Sequence, residues 1–481
     1  MRPKTPAQWK IPYEIAPDPM PGTVTGLGGV AVASRAFRGM KLPGACDANL
    51  GALRRIRLGH TAGEVAETVA CALMVGADCV EGVDRLREDP AVEKMLGYAP
   101  PSARAVRDWL ERCHDAEAVA EARLAAQELE LKSSVPEATE GLRGLQAVVG
   151  AAARAAAARQ PGGAPRVATV DLDATVVESG KRAALRAYTG GRGYQPVVAV
   201  WAEARAVLAT EFRDGNVPAG KDPLACAKLA FAELPADVRE LGFRGDSACD
   251  NRELLAWLDD EGRADGPKGV IRYAVSARME PALAAAARGV GEKAWRTFGT
   301  DADGTLKQWA DLDYVPGLPC ERKGAGPRRY VGLRFLKPQG ELFDDGHDRK
   351  HFAIVTNRAE DGAKVVEWHR EKAGTVEHVH DELKNELAAG RMPSQKFGAN
   401  AAWFALNALA YNVMAALRAA DPEPEGRARR ARSVRYHLLL VGARLSRLSR
   451  KIVLRFAAPA QWIARTLRVL NAFPCRVQPT G

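Results

Sequence analysis

Asp171 and Asp173 stand two residues apart in a β-branched run from Arg166 to Val177, so on a strand both carboxylates leave the same face of the sheet. Two acids held that close repel each other unless a cation uses them, and in a water-filled site the usual user is a divalent metal bound through oxygen. Asp246 stands at the end of another predicted strand and before a helix, where side chains project from a rigid scaffold. Glu377 falls inside a predicted long helix from Glu371 to Ala389. Arg370, Glu377 and Lys384 are seven apart and make one polar stripe, while Val376, Val379, Leu383 and Leu387 make the apolar face that packs on the sheet. Two strand acids and one helix acid docked against them can hold two Mg²⁺ ions, which suits in-line attack on a phosphodiester. Each acid alone has a plainer reading: a solvated strand edge, a helix cap at Asp246, a surface group among Glu371, Asp381, Glu382 and Glu386. It is the conjunction, with the right element under each, that favours the metal site.

The elements around these acids fall into blocks. Residues 1–25 carry six prolines and read as an extended arm. From Gly51 to Leu131 the pattern is helical, with caps at Thr61 and Ser102, and suits either DNA reading or subunit pairing. Gly150 to Pro165 reads as a helix end and linker. Three successive strands are then predicted (166–177, 196–202, 206–212), followed by a helix (223–234), the strand into Asp246, a helix (252–258) and a strand (269–276). Residues 279–357 are loop-rich with strands at 330–335 and 351–356, and an apolar helix covers 399–417.

The 481 residues are 47% hydrophobic and 27% charged, a globular composition with room for about three domains. Formal charge is +10, but Gly426 to Gly481 holds 13 Lys/Arg and no acid, so the first 425 residues sum to −3. A neutral body with one basic end is equipped to hold a polyanion, nucleic acid or anionic membrane. Within that end, Val434, Leu438, Val441, Leu445, Leu448 and Ile452 recur at helical intervals, with Arg444, Arg447, Lys451 and Arg455 beside them, and predict an amphipathic helix. No apolar run approaches the ~20 residues of a membrane span, and residues 1–25 make no signal peptide, so a cytoplasmic protein without a membrane partner is expected. Eight scattered cysteines without a C-x-x-C pair read as reduced thiols.

Several motifs together resemble the DDE transposases of bacterial insertion sequences, in the branch with a β-stranded insertion between the second and third acids. They are Asp173-Ala-Thr175, Tyr188 with Gly193-Tyr194-Gln195-Pro196, Gly245-Asp246-Ser247, Glu377 followed by six residues and Lys384, Phe397-Gly-Ala-Asn400-Ala-Ala-Trp403, and Leu409-Ala-Tyr-Asn412. The resemblance covers most of the chain. It implies a mixed α/β fold: a ribonuclease H-like catalytic domain (161–278 and 359–420) split by a β-rich insertion (279–358). An N-terminal arm and helical DNA-binding or dimerisation domain (1–160) and a basic helical C-terminal region (421–481) would flank it. It implies Asp173, Asp246 and Glu377 as catalytic metal ligands for two Mg²⁺, with Mn²⁺ as substitute. It further implies cleavage at the ends of an element and joining of the 3′ ends to target DNA. The partners would be double-stranded DNA bearing terminal inverted repeats, target DNA, and a second copy of the chain in a homodimer at the bacterial nucleoid. Arg370, Lys384, Arg444, Arg447, Lys451 and Arg455 are the expected DNA contacts. In the family a Tyr and an Arg precede the Glu by seven and four residues; here Arg370 and Ala373 hold those places.

Two other readings compete. An inactive or domesticated descendant would bind DNA without cutting it. Val167 to Val176 also resembles the first motif of haloacid-dehalogenase-like phosphatases, with Asp171 as nucleophile, and Gly245-Asp246-Ser-Ala-Cys-Asp250 resembles their metal motif. Successive strands after Asp173 argue against that fold, which is built from strand-helix-strand units. Thr175, completing Asp-Ala-Thr, is the reason to prefer Asp173 over Asp171. His378 and His380 lie two apart on a helix and point to different sides, which argues against a metal pair. Trp295 and Trp309, among basic residues of the insertion, either pack in the core or stack on an unpaired base.

Overall fold

The computed structural model describes residues 22–54, 59–128, 133–316, 328–421, 430–448 and 451–476. Most of the proline-rich arm, together with Cys320, lies outside the described residues.

A short strand β1 (Thr23–Thr25) precedes eight helices: α1 (Gly29–Gly39), α2 (Leu42–Leu50), α3 (Ala62–Val75), α4 (Gly82–Arg87), α5 (Pro90–Leu96), α6 (Ala103–Glu111), α7 (Ala116–Glu128) and α8 (Glu140–Ala157). The starts follow local chemistry. Thr61 and Glu64 cap α3 reciprocally, and the Ser102 side chain accepts from Ala105 N at the start of α6. Helices α1 and α2 and most of α8 are not expected from the sequence.

The second block begins with β2 (Val167–Ala174), a small side sheet of β3 (Val177–Glu178), β4 (Leu185–Arg186) and β5 (Arg192–Tyr194), then β6 (Val197–Trp201) and β7 (Ala206–Glu211). Helix α9 (Pro223–Ala232), β8 (Glu240–Gly245), α10 (Arg252–Asp259), β9 (Ile271–Ser276) and α11 (Pro281–Gly289) come next. Strand β2 pairs antiparallel with β6 and parallel with β8; β7 flanks β6 antiparallel and β9 flanks β8 in parallel. In space the five run third, second, first, fourth, fifth, the ribonuclease H-like order. All five residues of β6 are buried, as a strand covered on both faces requires.

The segment 279–358 holds four strands where two were expected: β10 (Arg296–Thr300), β11 (Leu306–Leu312), β12 (Arg329–Leu336) and β13 (Arg349–Thr356). They do not form a sheet of their own. Strand β13 pairs antiparallel with β9, so a single nine-stranded sheet runs from β10 to β7.

After the sheet, α12 (Gly362–Arg370), a 3-10 turn (Glu371–Gly374), α13 (Val376–Asp381) and a π-helical turn (Glu382–Glu386) replace the predicted continuous helix. Helix α14 (Phe397–Ala420) is buried from Phe397 to Leu417, and its polar side chains tie the fold together. Asn412 donates to Val207 O (2.8 Å) and Val149 O (3.1 Å) and accepts from Val207 N (2.8 Å), so it closes the free edge of β7 and joins it to α8. Asn407 accepts from Ala388 N (2.8 Å) and Trp403 Nε1 donates to Ala388 O (2.9 Å), which fixes the exit of the π turn. Asn400 donates to the Tyr194 hydroxyl (3.0 Å), so two of the sequence motifs meet.

The predicted C-terminal helix is a correction. Helix α15 (Ala431–Val434) and a π turn (Arg435–Leu439) lead into a hairpin, β14 (Ala443–Leu448) with β15 (Lys451–Phe456), and then α16 (Ala460–Asn471). Strand β1 pairs with β14 and makes a three-stranded sheet. On β15 Ile452, Leu454 and Phe456 alternate with a period of two, and β-branched Ile452 and Val453 favour the strand. This region is no appendage: Phe473 is buried against Gly39, with Arg159 over its ring.

Candidate active site

Asp171 and Asp173 leave the same strand and meet different fates. Asp171 is 0% exposed. Arg244, its register partner on β8, donates Nε to Oδ1 (2.6 Å) and Nη2 to Oδ2 (2.9 Å), and the Thr375 hydroxyl donates to Oδ2 as well. Arg244 is held in turn by Glu371 and the Trp368 carbonyl, both at 2.7 Å, and stacks on the Trp368 ring. A carboxylate enclosed in this way is a strut. It cannot be the exposed nucleophile that the phosphatase reading needs, and Asp250 of that reading is taken up by the Arg278 backbone N–H at 2.7 Å.

Asp173, near the end of β2, is open on one side. Its Oδ2 lies 3.4 Å from Lys372 Nζ and 3.7 Å from His380 Nε2. Asp246 stands just after β8 and caps a 3-10 turn, accepting from Ala248 N at 3.0 Å. Burial, then the charge of Asp173, push the Asp246 carboxyl above the usual range, while Lys372 opposes the rise. Gly245 is needed beside it, because a Cβ there would meet Cys249 at 2.5 Å. The two acids therefore share one neighbourhood at the ends of adjacent parallel strands, with the buried ammonium of Lys372 acting on both. Among the described residues no three His, Cys, Asp or Glu side chains form a ready-made metal cage. The acid pair offers hard oxygen donors, and Lys372 already supplies a cation there.

The third expected acid stands apart. Glu377 is exposed on α13 and makes no hydrogen bond or ion pair among the described residues. The predicted stripe is broken on both sides of it, by the 3-10 turn after Arg370 and by the π turn before Lys384. A π turn adds a residue to the helical circuit and so rotates the side chains beyond it. Lys384 consequently reaches inward, donating to Thr175 Oγ1 at 2.8 Å, two residues beyond Asp173. His380, one turn beyond Glu377, is buried toward Asp173; burial, then the charges of Lys384 and Lys372, hold its imidazole down at about 3, so it stays neutral. His378 is exposed. Lys372 was not singled out in the sequence and His380 was set aside there together with His378; the 3-10 and π turns that aim Lys372 and Lys384 leave no regular spacing as a signal.

A cleft of about 650 Å³ beside Asp246 is lined by Arg278, Arg370, Phe335 and Phe352, and another of about 670 Å³ is lined by Lys384 and Arg391. Arg370 lies over the rings of Phe298 and Phe335. The aromatic that opens to the cleft is Phe352, 42% exposed on β13, whereas Trp295 and Trp309 are buried, under Arg334 and against Gly362.

The basic C-terminal residues divide. Arg430 and Arg432 pair with Glu386, and Arg465 with Asp421, and so hold this region to the body. Arg444, Lys451 and Arg455 are exposed on one face of the hairpin, Arg444 directly opposite Arg455; Arg447, opposite Ile452, is on the other face, so the four do not line one side of a helix as expected. No helix among the described residues is long and apolar enough to cross a membrane.

No curated protein matches the chain. Among solved structures, a cryo-EM structure of the piggyBac transposase synaptic complex with hairpin DNA is 11% identical, with a TM-score of 0.42, covering 85% of this chain and 78% of that one. Residues 18–474 match the family described as Transposase DDE domain group 1, and since that is nearly the whole length, the chain belongs to the DDE transposases.

Proposed function

We propose that the chain cuts DNA at the ends of a mobile element and joins the freed 3′ ends to target DNA, with Asp173 and Asp246 as the acids that hold divalent metal. The observation that carries this is the pair itself: two aspartates at the ends of adjacent parallel strands, with Asp171 beside them closed off by Arg244. Bound there, Mg²⁺ or Mn²⁺ would polarise the phosphodiester and activate the attacking oxygen. Lys384 anchors the Asp173-Ala-Thr175 turn and offers charge to a phosphate, and Arg278 and Arg370 line the cleft beside Asp246. The exposed face of Arg444, Lys451 and Arg455 suits DNA backbone farther from the cut. Two ends must be held together, so the working unit is a homodimer on DNA. Glu377 completes the acid set when α13 turns about its irregular ends, 3-10 on one side and π on the other.

The test is incubation of purified protein with DNA bearing the element's terminal repeats and a divalent ion. Metal-dependent nicking that disappears in Asp173→Asn and Asp246→Asn is expected; nicking indifferent to both would refute the assignment. The exposure of Glu377 favours one second reading, a DNA-binding protein that does not cut. Salt-sensitive binding by wild type without nicking would select it.

A further inference from the structure

The two buried histidines near the acids differ in what they touch. His369 Nε2 lies 3.1 Å from the Gly245 carbonyl and 3.3 Å from Ser276 Oγ, so its ring is tied into the scaffold. His380 is 6% exposed, and neither of its nitrogens has a hydrogen-bond partner. The backbone of Asp173 acts on the ring, and Nε2 lies 3.7 Å from the Asp173 carboxylate. A buried ring left without partners is costly and rare in a finished interior, and calls for a ligand to explain it. A group set between the ring and Asp173 meets an imidazole nitrogen on one side and a carboxylate on the other, and both are metal donors. Two donors each about 2.1 Å from one ion sit roughly 3 to 4 Å apart, and the spacing to Asp173 falls in that range.

We propose that His380 is a nitrogen ligand to the ion held by Asp173, and that the site is therefore built for a first-row transition ion such as Mn²⁺ in preference to Mg²⁺. This rests on the reading of Asp173 as a metal ligand. Mg²⁺ selects oxygen and tolerates imidazole poorly, while Mn²⁺ keeps the preference for carboxylates yet accepts the ring. Lys372 Nζ, 3.4 Å from Asp173, is the cation that the ion must push aside, so it sets a threshold for loading.

The experiment uses the full-length protein loaded with Mn²⁺ and electron spin-echo spectroscopy, which detects nitrogen bound to the ion. Wild type is expected to show nitrogen coupling and to bind Mn²⁺ at least roughly tenfold more tightly than Mg²⁺ by calorimetry. In His380→Ala the coupling should vanish and the Mn²⁺ preference fall roughly tenfold, the order of effect a metal-site partner carries. Glu377→Gln should leave the coupling intact, and Asp173→Asn should abolish binding. Mn²⁺ held in an Asp173-dependent way without nitrogen coupling overturns the histidine assignment alone. Binding that ignores Asp173→Asn, or no binding at all, overturns the metal-site reading beneath it. Should His380→Ala not fold, the wild-type spectrum decides by itself.

Discussion

The asparagines of α14 and the groups around Asp173 are both polar clusters sunk in an apolar surround, and they differ in how completely they are answered. Asn412 satisfies three backbone atoms of β7 and α8, and Asn407 with Trp403 satisfies both backbone groups of Ala388. Around Asp173 the bonding stays incomplete: the Lys372 ammonium stands at 3.4 Å and the His380 ring at 3.7 Å, both beyond a short charge-assisted bond. The first cluster needs nothing more and behaves as framework. The second is held in place by the first, since the π turn that aims Lys384 ends on Asn407 and Trp403, yet its own valences point to something outside the chain. Asp171 and Asp173 condense the contrast into a single strand.

The sharpest way to break that contrast is to exchange the fates of the two aspartates. Asp171→Ala takes from the buried Arg244 its two-point partner and leaves it Glu371 for a counter-charge, and should cost about 3 kcal/mol, read from the urea midpoint. Asp173→Asn should move stability by about 1 kcal/mol or less while removing metal-dependent nicking. Similar urea midpoints for the two variants would erase the distinction between strut and site. Asn412→Ala strands Val207 N–H and Val207 C=O and cuts the tie to α8, and should cost about 3 kcal/mol.

A smaller effect comes with pH. His369 and His380 are held by burial at about 4 and about 3, below an ordinary value near 6.5. Below that value the unfolded chain takes up protons that the folded one refuses, so stability falls as pH drops from about 6.5 toward 4, by at most roughly 1.4 kcal/mol per unit for each ring. Asp246, whose carboxyl is raised by burial and by Asp173, works in the opposite direction at the acid end of that window. Urea midpoints at pH 7 and pH 5 measure the net, and His369→Gln should flatten the difference. The smallest effect is expected at the hairpin. Arg444→Ala relieves a like-charge opposition with Arg455 and should change stability by less than about 0.5 kcal/mol, while the slope of log affinity for DNA against log salt shrinks by about 1.

The sequence carried the central strands well, because β2, β6, β7 and β9 hold β-branched residues between turn residues, and it put Asp173 on a strand and Asp246 at the end of one. The motif asparagines were visible as a pattern, but their role as caps for β7 and Ala388 depends on contacts between residues as many as 263 positions apart. What sequence spacing could not carry is rotation: a period of seven promised one face for Arg370, Glu377 and Lys384, and two irregular turns divided it. The hairpin was lost for a related reason, since Leu445, Leu448 and Ile452 keep the helical period although they stand on two paired strands.

The pairing of Val24 with Arg444 joins positions about 420 residues apart. Closing so long a loop gains nothing until the elements between have settled, so the docking of β1 on β14 should be among the last contacts to order during folding and the first to exchange its amide hydrogens in the native state. That edge thus doubles as a clock: once β1 lies against Arg444, the strands that carry Asp173 and Asp246 should already be in place.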